Sequence, residues 1–237
     1  MHIPVKNITY DVDMEPDFRS ICEKSCNFTM TSVERMYGLY KAIEYIVAAK
    51  IQGDVVECGT WKGGSSMVSA LTLIEKKDKL QRNMYLYDTF EGMSEPTDKD
   101  VFVNDKSLKA RNMWENKDFS DENFWCCSSI DEVKNNLYST GYPKEKMRFI
   151  KGKVEDTIPM IIPRKIALLR LDTDFYESTF HEMKYLFPRL VKGGVLIVDD
   201  YGHWQGAKDA VDTFIREKKI KIFLNRLDYT GRIAIKY

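Results

Sequence analysis

Two acidic pairs follow directly on the two most apolar stretches of the chain. Leu169-Arg-Leu-Asp-Thr-Asp-Phe-Tyr176 carries Asp172 and Asp174, and Val195-Leu-Ile-Val-Asp-Asp-Tyr201 carries Asp199 and Asp200. If both stretches are buried strands, four carboxylates crowd one rim, which is costly until a cation or a proton neutralises them. Ligands that are all oxygen suit a hard ion such as Mg²⁺. The bland alternative, four solvated loop acids, leaves unexplained why both pairs follow immediately on apolar runs. Asp172-Thr-Asp174 is also a D-x-D that suits a nucleotide-sugar diphosphate held through Mn²⁺. His203 and Trp204 follow closely and read as walls of such a site, the histidine as a packing or hydrogen-bonding residue rather than a base.

A second constellation lies earlier. The segment Asp54-Val-Val-Glu-Cys-Gly-Thr-Trp-Lys-Gly-Gly-Ser-Ser66 passes from an apolar strand through Gly59, Gly63 and Gly64 into a helix. Glycines there let a ligand approach backbone amides at a helix amino terminus. The dinucleotide fingerprint G-x-G-x-x-G is not met, because Trp61 and Lys62 stand between the glycines, and NAD is disfavoured. Glu57, the acid at the strand end, suits a ligand with a cationic group such as the amino group of a methionine moiety. Asp88 ends the next strand, in Tyr85-Leu-Tyr-Asp-Thr-Phe-Glu-Gly-Met93, where a carboxylate can accept both ribose hydroxyls of a nucleoside. A turn or cap aspartate is the structural alternative. In Gly152-Lys-Val-Glu-Asp-Thr-Ile-Pro159, Asp156 is placed to bond the exocyclic amine of adenine.

These residues need elements to hold them. Apolar positions at helical spacing (Val33, Met36, Tyr37, Tyr40, Ile43, Val47) predict an amphipathic helix over residues 31–50. After it come a strand at 54–58, a helix at 64–75, a strand at 84–88 and a long polar segment to about Ser128 that reads as a lid or substrate loop. Ser129 with Glu132 makes a capping box opening a helix through Leu137. Strands follow at 147–150, 166–171 and 194–198, helices at 178–190 and 208–218, and terminal strands near 220–224 and 232–236. Strands that are apolar throughout and alternate with helices predict an α/β chain, a seven-stranded, mostly parallel sheet covered on both faces. In such sheets ligands sit beyond the carboxyl ends of the strands. Residues 1–50 are expected to form a helical extension or lid, and 51–237 the α/β domain.

Composition narrows the classes. Of 237 residues, 43% are hydrophobic and 12% aromatic, enough to bury a full core and to exclude disorder. The 36 basic residues balance the 36 acidic ones, so no net field draws the chain to nucleic acid or anionic lipid. No apolar run approaches the ~20 residues of a membrane span, and the amino terminus is no signal peptide. Five cysteines without a C-x-x-C pair fit free thiols and a cytoplasmic protein.

Taken in order, residues 28–46 (FTMTSVERMYGLYKAIEYI), 53–66 (GDVVECGTWKGGSS), 87–93 (YDTFEGM), 171–179 (LDTDFYEST) and 193–214 (GGVLIVDDYGHWQGAKDAVDTF) resemble the macrocin O-methyltransferase (TylF-like) family. The resemblance implies a Rossmann-like class I S-adenosylmethionine methyltransferase fold and methylation of sugar hydroxyls with Mg²⁺. It implies that Glu57, Gly59, Gly63 and Ser65 hold the methionine part of the donor, Asp88 the ribose and Asp156 the adenine side, with Met30 bordering the donor. It further implies that Asp172, Asp199 and Asp200 bind the metal and that Asp174 is the general base. A homodimer taking a small molecule or glycoside is expected, with neither nucleic acid nor membrane as a partner.

In the mechanism so implied, the metal chelates two neighbouring hydroxyls and lowers the pKa of one, while Asp174 removes its proton. Methylation of a catechol is a close rival, since vicinal phenolic oxygens chelate the same ion. A metal-dependent glycosyltransferase built on the D-x-D, and a non-catalytic binding module, are more distant ones.

Overall fold

The computed structural model describes residues 8–116 and 125–237. The β-strands are β1 (Asp54–Cys58), β2 (Met84–Asp88), β3 (Met147–Lys151), β4 (Ile166–Leu171), β5 (Leu190–Val198), β6 (Asn225–Arg226) and β7 (Arg232–Ile235). The helices are α1 (Pro16–Ser25), α2 (Val33–Ala48), α3 (Gly64–Glu75), α4 (Ala110–Glu115), α5 (Ile130–Tyr138), α6 (Val154–Thr157), α7 (Tyr176–Tyr185) and α8 (Gln205–Glu217). The strands form one seven-stranded sheet in the order β3-β2-β1-β4-β5-β7-β6. β1 to β5 run parallel, and β7 is antiparallel to both β5 and β6.

The sheet is parallel because each of its inner strands is apolar on both faces. All six residues of β4 and the last five of β5 are buried, so both surfaces of the sheet need a helical cover. One cover joins Phe18 and Ile21 of α1, Leu39 and Ile43 of α2, Val68 of α3 and Leu137 of α5 to Val55 and Leu168 of the sheet. The other joins Met183 of α7 and Val211 and Phe214 of α8 to Val56, Leu169 and Leu196. The amino-terminal helices therefore share the core of the α/β unit. The polar segment after β2 carries α4 and is tied to the body by buried Asp100, which accepts from the backbone N–H of Tyr176 at 2.8 Å and of Thr97 at 2.7 Å.

Three predicted boundaries move, each for a physical reason. α7 stops at Tyr185, followed by a 3₁₀ turn over Phe187–Arg189, because Pro188 cannot continue the helix. β5 begins at Leu190, four residues early, since Leu190 pairs with Ile166 before the irregularity that admits the two glycines. Residues 220–224 are not a strand. Ile220, Ile222 and Leu224 alternate inward onto the second core, but β7 offers ladder partners only to Asn225 and Arg226.

Strand order reverses between β1 and β4, and the carboxyl ends of those two strands are where such sheets leave a crevice.

Candidate active site

A cavity of about 330 Å³ opens at that crevice. Its first wall is the turn after β1. Gly59 has φ +79°, and a Cβ there would lie 1.9 Å from the carbonyl oxygen of Asp172, so only glycine lets the ends of β1 and β4 touch. Asp172 N–H in turn donates to Cys58 O at 2.9 Å. Gly64 plays a similar part on the other side, where a Cβ would lie 2.6 Å from the Phe28 carbonyl, and the segment Phe28–Thr31 thereby packs over the start of α3. Met30, Thr31, Ser65 and Asp88 all line the cavity. Asp88 Oδ2 accepts from Thr60 N at 2.7 Å, Thr60 Oγ1 at 3.1 Å and Trp61 N at 3.1 Å, and its Oδ1 from Phe90 N at 2.7 Å. One carboxylate thus fixes two turns.

The opposite wall is acidic. Oxygens of Asp172, Asp199 and Asp200 all lie within 4.8 Å of one another. Arg170, buried two residues before Asp172, holds the group together: Nη1 donates to Glu57 Oε1 at 2.6 Å and to Asp172 Oδ2 at 2.7 Å, and Nη2 to Asp199 Oδ1 at 2.8 Å. Arg35 of α2 bonds the other oxygen of Asp199 and reaches Asp228 Oδ2 at 3.0 Å. Asp200 Oδ2 is buried and finds no hydrogen-bond partner among the described residues. Asp174 lines the cavity beside them in the left-handed backbone region (φ +65°), as do Trp61 (+45°) and Cys126 (+52°). Non-glycine residues held there carry strain that clusters at functional sites.

Burial is the main influence on these acids. It pushes Asp174 up to about 8, helped by the charge of Asp172. Asp172 and Asp200 are likewise raised well above the carboxylate range by burial, with Arg170 opposing at Asp172 and Asp174 adding at Asp200. Burial works against the charge of Arg170, but Asp172, Asp199 and Glu57 outweigh it and keep the guanidinium firmly protonated. His203 is pushed down by burial and by Arg35, so its imidazole is neutral near pH 7.

The family model for Macrocin-O-methyltransferase (TylF) matches residues 10–235. The chain belongs to the TylF macrocin O-methyltransferase family. It is 30% identical over 230 residues to the 8-demethyl-8-(2,3-dimethoxy-alpha-L-rhamnosyl)-tetracenomycin-C 4'-O-methyltransferase of Streptomyces olivaceus, covering 96% of this chain and 84% of that protein. With the demethyldecarbamoylnovobiocin O-methyltransferase of Streptomyces niveus it shares 29% identity over 203 residues, 86% of this chain and 73% of that one. The solved structure of the O-methyltransferase NovP superposes with a TM-score of 0.75 at 28% identity, covering 88% of this chain and 82% of that one. Membership of a TylF O-methyltransferase family displaces the glycosyltransferase reading of the D-x-D.

Of the positions singled out in this TylF chain, Met30, Gly59, Ser65, Asp88, Asp172, Asp174, Asp199 and Asp200 meet around the one cavity. Three do not. Glu57 is 4% exposed and lies beneath the cavity floor, its oxygens taken by Arg170 and Ser66, because its register partner on β4 is that arginine. Gly63 caps α3 and packs against Leu137 of α5, 2.9 Å from its would-be Cβ, which makes it a packing glycine. Asp156 is exposed on the outer side of α6, and Lys153, Val154 and Glu155 line the cavity instead. Arg170 and Arg35 are the residues sequence reasoning missed. An arginine inside an otherwise apolar strand is a legible signal for the first, whereas Arg35 sits in a helix whose pattern speaks only of packing. The polar segment after β2 brings Met93, Met113, Trp125 and Cys126 to the cavity, and its residues 117–124 lie outside the described ones.

Proposed function

We propose that this chain methylates a hydroxyl of a sugar or glycosylated metabolite, taking the methyl group from S-adenosylmethionine and using Mg²⁺. The observation that carries the reading is that the glycine turn after β1 and the three converging carboxylates open on a single cavity. The Streptomyces olivaceus relative, named for a rhamnosyl-bearing compound, supports the acceptor class.

The acidic wall fits a divalent cation. Its donors are all oxygen, one buried oxygen of Asp200 has no partner among the described residues, and two arginines fall short of balancing the acids around them. Asp172, Asp199 and Asp200 would hold the ion, Asp199 sharing its oxygens with Arg170 and Arg35. Bound there, the ion would supply the charge that makes a sugar hydroxyl acidic, and the sulfonium donor the methyl that it accepts.

The chain's own part is alignment and proton removal. Asp88 sets the Thr60–Trp61 turn, and Met30 and Thr31 close the donor side above α3. Asp174, held at about 8 by burial beside Asp172, would act as the base in its ionised form, so methyl transfer should rise with pH toward 8. The indoles of Trp125 and Trp204 in the lining also suit a flat acceptor, which keeps a catechol in the panel of substrates.

The test is mass spectrometry of glycosides and a catechol incubated with the chain and S-adenosylmethionine. A gain of one methyl on a glycoside, abolished by EDTA and restored by Mg²⁺, is expected, and EDTA-insensitive transfer would remove the metal. Asp174→Asn should retain donor affinity by calorimetry and lose roughly 10² to 10⁴ in turnover. Normal turnover in that variant would dismiss Asp174 as the base.

A further inference from the structure

A second concavity, of about 240 Å³, lies beside the acidic wall and opens to solvent. Its lining includes Tyr201, Lys208, Arg226, Tyr229 and Arg232 and contains no acid. The chain as a whole is neutral, so three cations around one hollow is a local excess.

Two of the three cations, Arg226 and Arg232, are held rather than neutralised. Tyr201 is flanked by Lys208 Nζ at 5.1 Å and by the guanidinium of Arg232 at 5.0 Å from its ring centre. Lys208 pairs with Asp212, which also accepts from the Tyr201 hydroxyl at 2.7 Å. Neither arginine has a carboxylate partner among the described residues. Arg226 Nε donates to Asp228 O at 2.6 Å, and Arg232 Nη1 to Gly231 O at 2.9 Å. Those bonds leave the other guanidinium nitrogens available to an incoming acceptor. Asp228, the nearest acid in sequence, faces away to Arg35, Ser32 and the backbone of Thr230 and Gly231.

The hollow adjoins the acidic cavity, with one residue forming part of both walls. Tyr229 lines both, its hydroxyl 3.1 Å from His203 Nδ1, and Tyr201 follows Asp200 in the chain. An acceptor with a hydroxyl at the acidic wall and its far end beyond Tyr229 would meet the two arginines. Guanidiniums favour anions that offer two oxygens at once, and a phosphate monoester with about two charges answers two unpaired arginines better than a single carboxylate does.

We propose that this hollow is an anion subsite for the phosphate of a phosphorylated or nucleotide-linked sugar acceptor. The proposal rests on the methyltransferase reading above for its use, but its binding chemistry is tested without turnover. Titration calorimetry of the full chain with a hexose 1-phosphate, a nucleoside diphosphohexose and a neutral methyl hexoside is the experiment. The phosphorylated sugars are expected to bind in a salt-sensitive manner, and the neutral hexoside at least about tenfold more weakly. Arg226→Ala, at an exposed position, should weaken the phosphorylated ligands about tenfold while leaving S-adenosylmethionine affinity unchanged. Arg148→Ala, an exposed arginine on β3, should leave them unaffected. A preference of the hexose 1-phosphate over the diphosphohexose, or the reverse, assigns the source of the phosphate. Equal binding of the neutral hexoside, no loss in Arg226→Ala, or an equal loss in Arg148→Ala would overturn the subsite. Intact phosphate binding without any methyl transfer would instead sink the catalytic reading and leave the subsite standing.

Discussion

At the ends of β1 and β2 one carboxylate, Asp88, accepts from five donors, whereas of the four carboxylates at the ends of β4 and β5 only Asp172 and Asp199 pair with a guanidinium among the described residues. The first region is saturated by its own backbone and is rigid before any ligand arrives. The second is under-compensated, with burial raising three of its acids. A hydrogen-bonded turn can present a shape, but an unbalanced acidic cluster is where an incoming charge gains most. The turn side is thus built for fit and the acidic side for answering charge.

The comparison breaks most sharply at Arg170. Arg170→Met removes the one group that pairs with Glu57, Asp172 and Asp199 together, and leaving buried charges unpaired typically costs about 3–5 kcal/mol. Denaturant unfolding should show that loss. A change below about 1 kcal/mol would mean that the acids simply protonate and need no counter-charge.

A smaller loss is expected on the saturated side. Asp88→Asn keeps the shape but replaces charge-assisted acceptance from backbone amides, at a cost of about 1.5–3 kcal/mol, and should weaken S-adenosylmethionine binding through the loosened Thr60–Trp61 turn. Unchanged stability with lost donor affinity would instead mark Asp88 as a ligand contact only.

The smallest effect concerns pH. Asp174 at about 8, and Asp172 and Asp200 above their ordinary range, all hold protons in the folded chain that the unfolded chain has released above about pH 4. The folded state therefore binds more protons, and stability without metal falls as pH rises from about 4 through 8. Mg²⁺ would replace those protons, so the difference in melting temperature between Mg²⁺ and EDTA should widen with pH, on the order of a few degrees. A difference that stays flat between pH 5.5 and pH 8.5 would remove the link between the raised acids and the ion.

Much of the frame was legible. β1, α3, β2 and β4 appear at the predicted residues, because an apolar run ended by glycine or acid is a local signal that no later packing overrules. The residues at those strand ends consequently fall together: Gly59 against Asp172, Asp88 beneath the turn, and Asp199 beside Asp200. The segments that moved lack such punctuation or lack a partner. Residues 220–224 have the right alternation but no strand to pair with, and Glu57 has the right charge at the right strand end but faces a buried arginine across the sheet.

The amino-acid sequence by itself determined which residues could be catalytic, since residue type, strand ends and glycine spacing are properties of short segments. The tertiary structure alone decided how their charges are balanced. Arg35 meets Asp199 across 164 positions of chain and Glu57 meets Arg170 across 113, and pairings over such separations follow from strand order and helix packing, which no local pattern encodes.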